Sequence, residues 1–267
     1  TLSGQIATLE TDLGVNLFKR QGRGLVLTET GRMVLDYAEE IFRLGNELEE
    51  ALQSRATGRA VPFRVGIADV VPKAIAWLLL APSMDLPEPM RIVCREGKFD
   101  ALLGEWAIHK LDVVLADSPL PPAMDVRGFS HALGESTIGF YAAPALAARL
   151  AGDFPARLDG APLLLPGVEA SVRGPLLRWI EAAGLRPRIV GEFDDSALMR
   201  AFAEAGAGIF PSASLVGEQL CRQGGLVHLG DAKGVTETYY AISVERRLTH
   251  PAVRAISEGA HAKQNFA

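Results

Sequence analysis

The sequence predicts an α/β protein in three parts: a small N-terminal helical region with a basic loop, one long helix, and a pair of α/β lobes. Three observations carry this. Apolar residues recur at heptad spacing through 34–52. After "RATGRAVP" (55–62) they switch to strand-type alternation and short buried runs. From there, strand and helix signals alternate almost to the C-terminus, as in α/β folds. A chain of 267 residues can supply one to three such domains.

In "TLSGQIATLETDLG" the residues Ile6, Leu9 and Leu13 lie at helical spacing, and Gly14 is a natural stop. The next loop, "KRQGRG", holds Lys19, Arg20 and Arg23 around Gly22 with no carboxylate. It reads either as a solvated turn or as a local cationic patch, and the loop alone leaves both open. Thr28 is placed to cap the long helix. There Val34, Ala38, Ile41, Gly45, Leu48 and Leu52 succeed one another in steps of four and three, the seam of a paired helix. A helix packed on its own domain gives a similar stripe. At about 25 residues, however, this one extends on the order of 40 Å, and pairing with another chain is the expectation.

The next part changes period. "FRVGIA", "MRIVCRE" and "LDVVLAD" read as strands, with helices "PKAIAWLLLAP" and "KFDALLGEWAIHK" between them and Pro72 in the first helical turn. Such β-α-β-α-β alternation predicts a parallel sheet covered on both faces. The third part repeats the pattern. "STIGFYAAP", "APLLLP", "RPRIVGEF", "AGIFP", "GLVHLG" and "TETYYAISVE" are strands, and "VRGPLLRWIEAAG", "DDSALMRAFAEAG" and "PAVRAISEGA" are helices. Two such lobes joined by crossovers make a fold that closes on a ligand at the carboxyl ends of its strands. Those ends carry Asp69 and Val70, Asp117 and Ser118, and Pro211 and Ser212, which are the expected effector-binding residues. Any of the carboxylates could equally be a solvated rim group.

Composition excludes several classes. The chain is 48% hydrophobic and 22% charged with net charge -5, so it has no global basic field and any nucleic-acid contact must be local. Cys94 and Cys221 fit no zinc or redox spacing and are expected to be buried thiols. The apolar run "AIAWLLLAP" is too short to span a bilayer, and no secretory segment opens the sequence, so a soluble cytoplasmic protein without membrane contact is expected. In "EAGAGIF" the glycines come after a helix and precede a strand, the reverse of a dinucleotide fingerprint. The five histidines form no metal-binding spacing, and no nucleophile–base set assembles. No enzyme, cofactor or metal site is expected.

"SGQIATLETDLGVNLFKRQGRGLVLTETGR" resembles the LysR-type transcriptional regulators. Ser3, Gln5, Ile6, Leu9, Glu10, Leu13, Gly14, Leu17, Phe18, Arg20, Leu27, Thr28 and Gly31 all match the family's winged helix-turn-helix pattern. A narrower resemblance, in "YAEEIFRLGNELEE" and "HKLDVVLADSPLP", is to the branch that activates sodium–proton antiporter genes. The resemblance implies a winged helix-turn-helix in 1–31, a linker and dimerisation helix in 32–61, and a two-lobed effector domain of periplasmic-binding-protein type. Lobe I would comprise 62–132 with 236–267, and lobe II 133–235. It implies that Thr1, Ser3 and Gln5 face the major groove while Lys19, Arg20 and Arg23 approach the backbone from the wing. The partners it implies are operator DNA, a second copy in a dimer or tetramer, RNA polymerase at activated promoters, and a small effector or ion such as Na+. The family places two helices before the recognition helix, whereas this sequence opens inside it. The chain by itself is therefore expected to bind its operator weakly or not at all. The alternative is a solute-binding protein of the same lobe architecture, which needs neither the heptad helix nor the wing.

Overall fold

The computed structural model describes residues 2–22, 24–57, 60–87, 90–122, 124, 128–245 and 250–264. These form two compact units, 1–61 and 62–267, by the distribution of their contacts.

In the first unit, α1 (Leu2–Leu13) ends at Gly14, whose φ of 69° turns the chain back. Glu10 then anchors the returning segment: its Oε1 accepts the backbone N–H of Leu17 at 2.7 Å and of Phe18 at 3.0 Å. Strands β1 (Phe18–Gln21) and β2 (Gly24–Leu27) pair antiparallel, with Gln21 opposite Gly24. Gly22 has φ 63°, the sign that the primed turns of tight hairpins require. Helix α2 (Glu29–Thr57) has 29 residues, about 44 Å of helix. As expected, Thr28 caps it: the hydroxyl accepts the Gly31 N–H at 2.9 Å and donates to the Asn16 carbonyl at 2.7 Å. Gly31 is there for a steric reason, since a Cβ would overlap the carbonyl oxygen of Leu17.

The second unit centres on a six-stranded sheet in the order β4-β3-β5-β10-β6-β9. Its strands are β3 (Val61–Ala68), β4 (Met90–Gly97), β5 (Val113–Ala116), β6 (Phe129–Ala142), β9 (Phe210–Ala213) and β10 (Val227–Ser243). Strands β3 and β5 run parallel, while β10 is antiparallel to both β5 and β6, and β9 is antiparallel to β6. A second, parallel pair joins β7 (Pro162–Pro166) to β8 (Arg188–Phe193) and reaches β9's approach through a bridge between Leu163 and Ile209. Helices α3 (Lys73–Met84), α4 (Phe99–Ala107), α5 (Pro144–Ala147), α6 (Arg173–Ala182), α7 (Ser196–Glu204), α8 (Gly217–Gly224) and α9 (Pro251–Gln264) complete the lobes. Pro72 sits at the cap just before α3 rather than within its first turn.

Two strands read from the sequence, "GLVHLG" and "TETYYAISVE", are one. Gly230 and Gly234 adopt positive φ, and the ladder shifts register between Ala232 and Thr236 instead of breaking. Strands β6 and β10 thus make a long ribbon through two apolar cores. Leu133, Tyr239 and Ile242 belong to one core with Trp106 and Leu103, whereas Ile138, Phe140 and Val235 belong to the other with Leu163 and Leu176. Between the two cores the ribbon places Glu237 opposite Ser136.

Candidate functional site

The first unit presents a polar, cationic surface. Ser3 and Gln5 on α1 are exposed, and so are Lys19 and Arg20 on β1, whose backbone the Glu10 carboxylate steadies. Thr1 and Arg23, grouped with them in the sequence, lie outside the described residues. Along α2, Val34 and Ala38 are half-buried, while Ile41, Gly45 and Leu48 are exposed. The side chain of Leu52 lies outside the described residues. Larger neighbours that the heptad reading passed over, Tyr37, Phe42 and Leu44, are also more than half exposed. At Gly45 a Cβ would meet open space, so the seam has room for a facing helix.

The second unit carries a cleft of about 470 Å³, counting its open mouth. Val70, Pro211 and Ser212 line it, as do Ile138, Pro166, Val172, Phe193, Met199, Phe210, Asp194, Ser196 and Glu237. Asp69 lies beside this group, with its N–H donating to the Gly97 carbonyl at 3.0 Å. Asp117 is 5% exposed and ties two segments together. Its Oδ2 accepts the Ser171 N–H at 2.7 Å, and its Oδ1 accepts the Ser118 hydroxyl at 3.3 Å.

Two lysines clasp the mouth. Lys98, just before α4, donates to Asp194 at 2.8 Å and lies 3.5 Å from Asp69. Lys73, the first residue of α3, donates to Glu96 at 2.7 Å and lies 3.6 Å from Asp195. The bond to Asp194 raises the Lys98 pKa against the opposing desolvation, with the Asp69 charge adding to the rise. Asp195 also caps α7 by accepting the Leu198 N–H at 2.6 Å. The "DDS" that read as a helix start is therefore a rim element as well.

Glu237 is the group that the sequence reading missed. It is 5% exposed, lines the cleft from β10, and accepts a hydrogen bond from the Tyr239 hydroxyl. Burial pushes its carboxyl up to about 7, the Tyr239 bond opposes this, and the nearby Asp117 charge adds to the rise. The Tyr239 phenol is raised well above its usual value, first by burial and then by Glu237. A signal was available. Val235, Glu237, Tyr239 and Ala241 alternate on the buried face of β10, and a carboxylate in such a run is out of place.

Among the described residues no group of three or more His, Cys, Asp or Glu side chains could hold a metal ion. The cysteines depart from the buried position expected of them. Cys94 is exposed on the edge strand β4, where fewer elements cover it, and Cys221 is half-buried. No described helix is long and apolar enough to cross a membrane.

Comparison with known proteins joins the two surfaces. A family model described as the LysR substrate binding domain matches residues 58–263. A second, the bacterial regulatory helix-turn-helix protein of the lysR family, matches residues 1–32. The transcriptional activator protein NhaR of Escherichia coli (strain K12) is 35% identical over 256 residues, spanning 96% of this chain and 84% of that protein. An uncharacterized HTH-type transcriptional regulator, YusT of Bacillus subtilis (strain 168), is 24% identical over 78% of this chain and 67% of its own length. Among solved structures, the LysR family regulator CbnR superposes with a TM-score of 0.58 at 19% identity, covering 97% of this chain and 89% of its own. Full-length HypT from Salmonella, a hypochlorite-specific LysR-type regulator, gives 0.56 at 20% identity over 98% and 88%. These likenesses show the fold of the lobes and of the long helix.

Proposed function

The chain belongs to the LysR-type transcriptional regulators, and from that premise we propose that it activates sodium–proton antiporter or osmotic-stress genes in the cytoplasm. The observation that carries the reading is the 35% identity to an NhaR activator over 96% of the chain, extending through both the wing and the cleft. It is a DNA-binding regulator and not an enzyme.

In this reading Ser3 and Gln5 face the major groove, where a glutamine amide can make a bidentate contact with adenine. Thr1 lies beside them. Lys19, Arg20 and Arg23 meet phosphates from the wing and supply affinity and salt dependence more than sequence choice. The α2 seam of Val34, Ala38, Ile41, Gly45, Leu48 and Leu52 pairs two copies, so that two heads address a two-fold site, and a dimer of dimers contacts RNA polymerase at activated promoters. The domains run 1–31, 32–61, 62–132 with 236–267, and 133–235. A cation or small cationic effector, sodium among the candidates, enters the cleft and biases the lobes, with Asp69, Val70, Asp117, Ser118, Pro211 and Ser212 around it. Support comes from the ion pairs across the mouth and the bond from Ser171 to Asp117, which a change in lobe closure must remake.

A reporter fused to an antiporter promoter tests this. Expression should rise with sodium chloride at alkaline pH in cells carrying the gene and stay flat in cells without it. Replacing Asp69 and Asp117 together by Asn should remove the response. A promoter indifferent to deletion of the gene would reject the antiporter assignment.

A further inference from the structure

We propose that the cleft takes a small organic cation, an aliphatic body with a protonated amine, and that Glu237 is the counter-charge of its head group. This rests on the reading of the cleft as the effector site.

The placement of Glu237 is the first ground. It lies in the β6–β10 ribbon between the two cores, opposite Ser136, almost wholly out of water and yet on the cleft wall. Ionising a carboxyl so placed is costly unless a positive group meets it. The groups acting on it do not supply one. Tyr239 on the same strand donates a neutral hydrogen bond, Asp117 after β5 adds a like charge, and Asp194 before α7 lines the same cleft. The nearby cations are already engaged: Lys73 and Lys98 at the mouth are each held by two carboxylates, and Arg173 at the start of α6 bonds the Pro166 carbonyl and pairs with Glu192.

The walls are the second ground. Val70, Ile138, Val172, Phe193, Met199 and Phe210 offer carbon to an occupant, while Ser196 and Ser212 offer hydroxyls from the same lining. A bare hard cation needs a cage of several oxygens, which a largely apolar wall does not provide. A hydrocarbon body with one charged head matches both the walls and the acid.

Burial alone favours the neutral carboxylic acid in the free protein. When an ammonium head arrives, Glu237 ionises, its proton leaves to solvent and the ion pair forms, so charge and protons balance at one proton released per ligand. Affinity therefore rises with pH until the acid is already ionised in the free protein, by about tenfold between pH 6 and pH 8.

Calorimetric titration of the full chain with n-butylamine and with 1,4-diaminobutane tests this. The titrations are run at pH 6 and pH 8, in two buffers of different ionisation heat and at fixed ionic strength. Sodium chloride and n-butanol serve as controls. The expected result is amine binding about tenfold tighter at pH 8, with close to one proton released at pH 6 and little at pH 8. Glu237→Gln should lose the pH dependence and most of the affinity at pH 8, with its circular dichroism unchanged. Val70→Trp, which fills the cleft, should abolish binding. Three results would overturn the proposal: no binding by either amine, the same binding in Glu237→Gln, or the same Glu237-dependent proton release with sodium chloride alone. Loss of binding in Val70→Trp with unchanged binding in Glu237→Gln would overturn the proposal while leaving the cleft as the effector site. Amine binding that survives Val70→Trp would instead reject the cleft as the effector site.

Discussion

Residues 62–267 bury two clusters of apolar side chains around the β6–β10 ribbon, whereas the described residues of 1–61 bury almost none. Among the described residues of the first unit, Leu17 is the one buried large hydrophobic, while Leu2, Tyr37, Ile41, Phe42 and Leu48 are each more than half exposed. One part of the chain is held by its own core. The other offers apolar surface of the kind that marks interaction sites. The division fits the proposed roles, a self-supporting lobe domain that senses and an N-terminal unit that meets DNA and a second copy.

The contrast is tested most strongly by truncating large side chains on each side of it. Trp106 is 1% exposed in the lobe core, and Trp106→Ala should cost about 3–5 kcal/mol in denaturant unfolding. Ile41→Ala with Leu48→Ala should leave the unfolding of the lobes within about 0.5 kcal/mol, yet weaken self-association in sedimentation at least about tenfold. If the α2 pair destabilised the lobes as Trp106→Ala does, the two regions would not be distinct.

The next effect belongs to the sensor side. Glu237 has a folded-state pKa raised from 4.5 to about 7, so the folded protein holds a proton that the unfolded chain releases earlier. Its contribution to stability therefore falls as pH rises between those values and is level above them. Relative to Glu237→Gln, the wild type should lose roughly 3 kcal/mol between pH 4.5 and pH 8, read from urea midpoints. A constant difference between the two proteins would show that the carboxyl is not perturbed by burial.

A smaller effect is expected at the wing. Gly31→Ala forces a methyl into the Leu17 carbonyl and should cost about 1–3 kcal/mol of local order. Hydrogen exchange should speed up in β1 and β2 while the lobes stay protected. Smallest is the clasp at the cleft mouth. Because Lys98 and Asp194 are half exposed, the coupling between Lys98→Met and Asp194→Asn in a double-mutant cycle should be small and should vanish at high salt. Coupling that survived salt would mean a drier interface than the structure shows.

Local chemistry explains the features that were readable in the sequence. The hairpin turn at Gly22, the stop at Gly14 and the Thr28 cap each depend on one or two residues, and the structure has all three. The strand-end rule brought Val70, Pro211 and Ser212 to the cleft wall. The hidden features depend on distant partners. Glu10 gains its role only after the turn at Gly14 returns Leu17 and Phe18 to it. Gly230 and Gly234 look like chain breakers but act as a bulge, because β6 continues alongside them. Asp194 and Asp195 meet Lys98 and Lys73 from segments about a hundred residues away. The exposure of Cys94 comes from the edge position of β4, which no local pattern encodes.

The salt dependence of DNA binding tests the central claim most directly, that the cationic wing is the DNA-contacting surface of an effector-controlled regulator. Binding to an antiporter promoter fragment would be measured over a series of salt concentrations for the wild type and for Lys19→Ala with Arg20→Ala. The account predicts weaker binding by the variant and a slope of log affinity against log salt that is shallower by about two, one for each lost phosphate contact. Equal affinity and equal slope for the two proteins would contradict it.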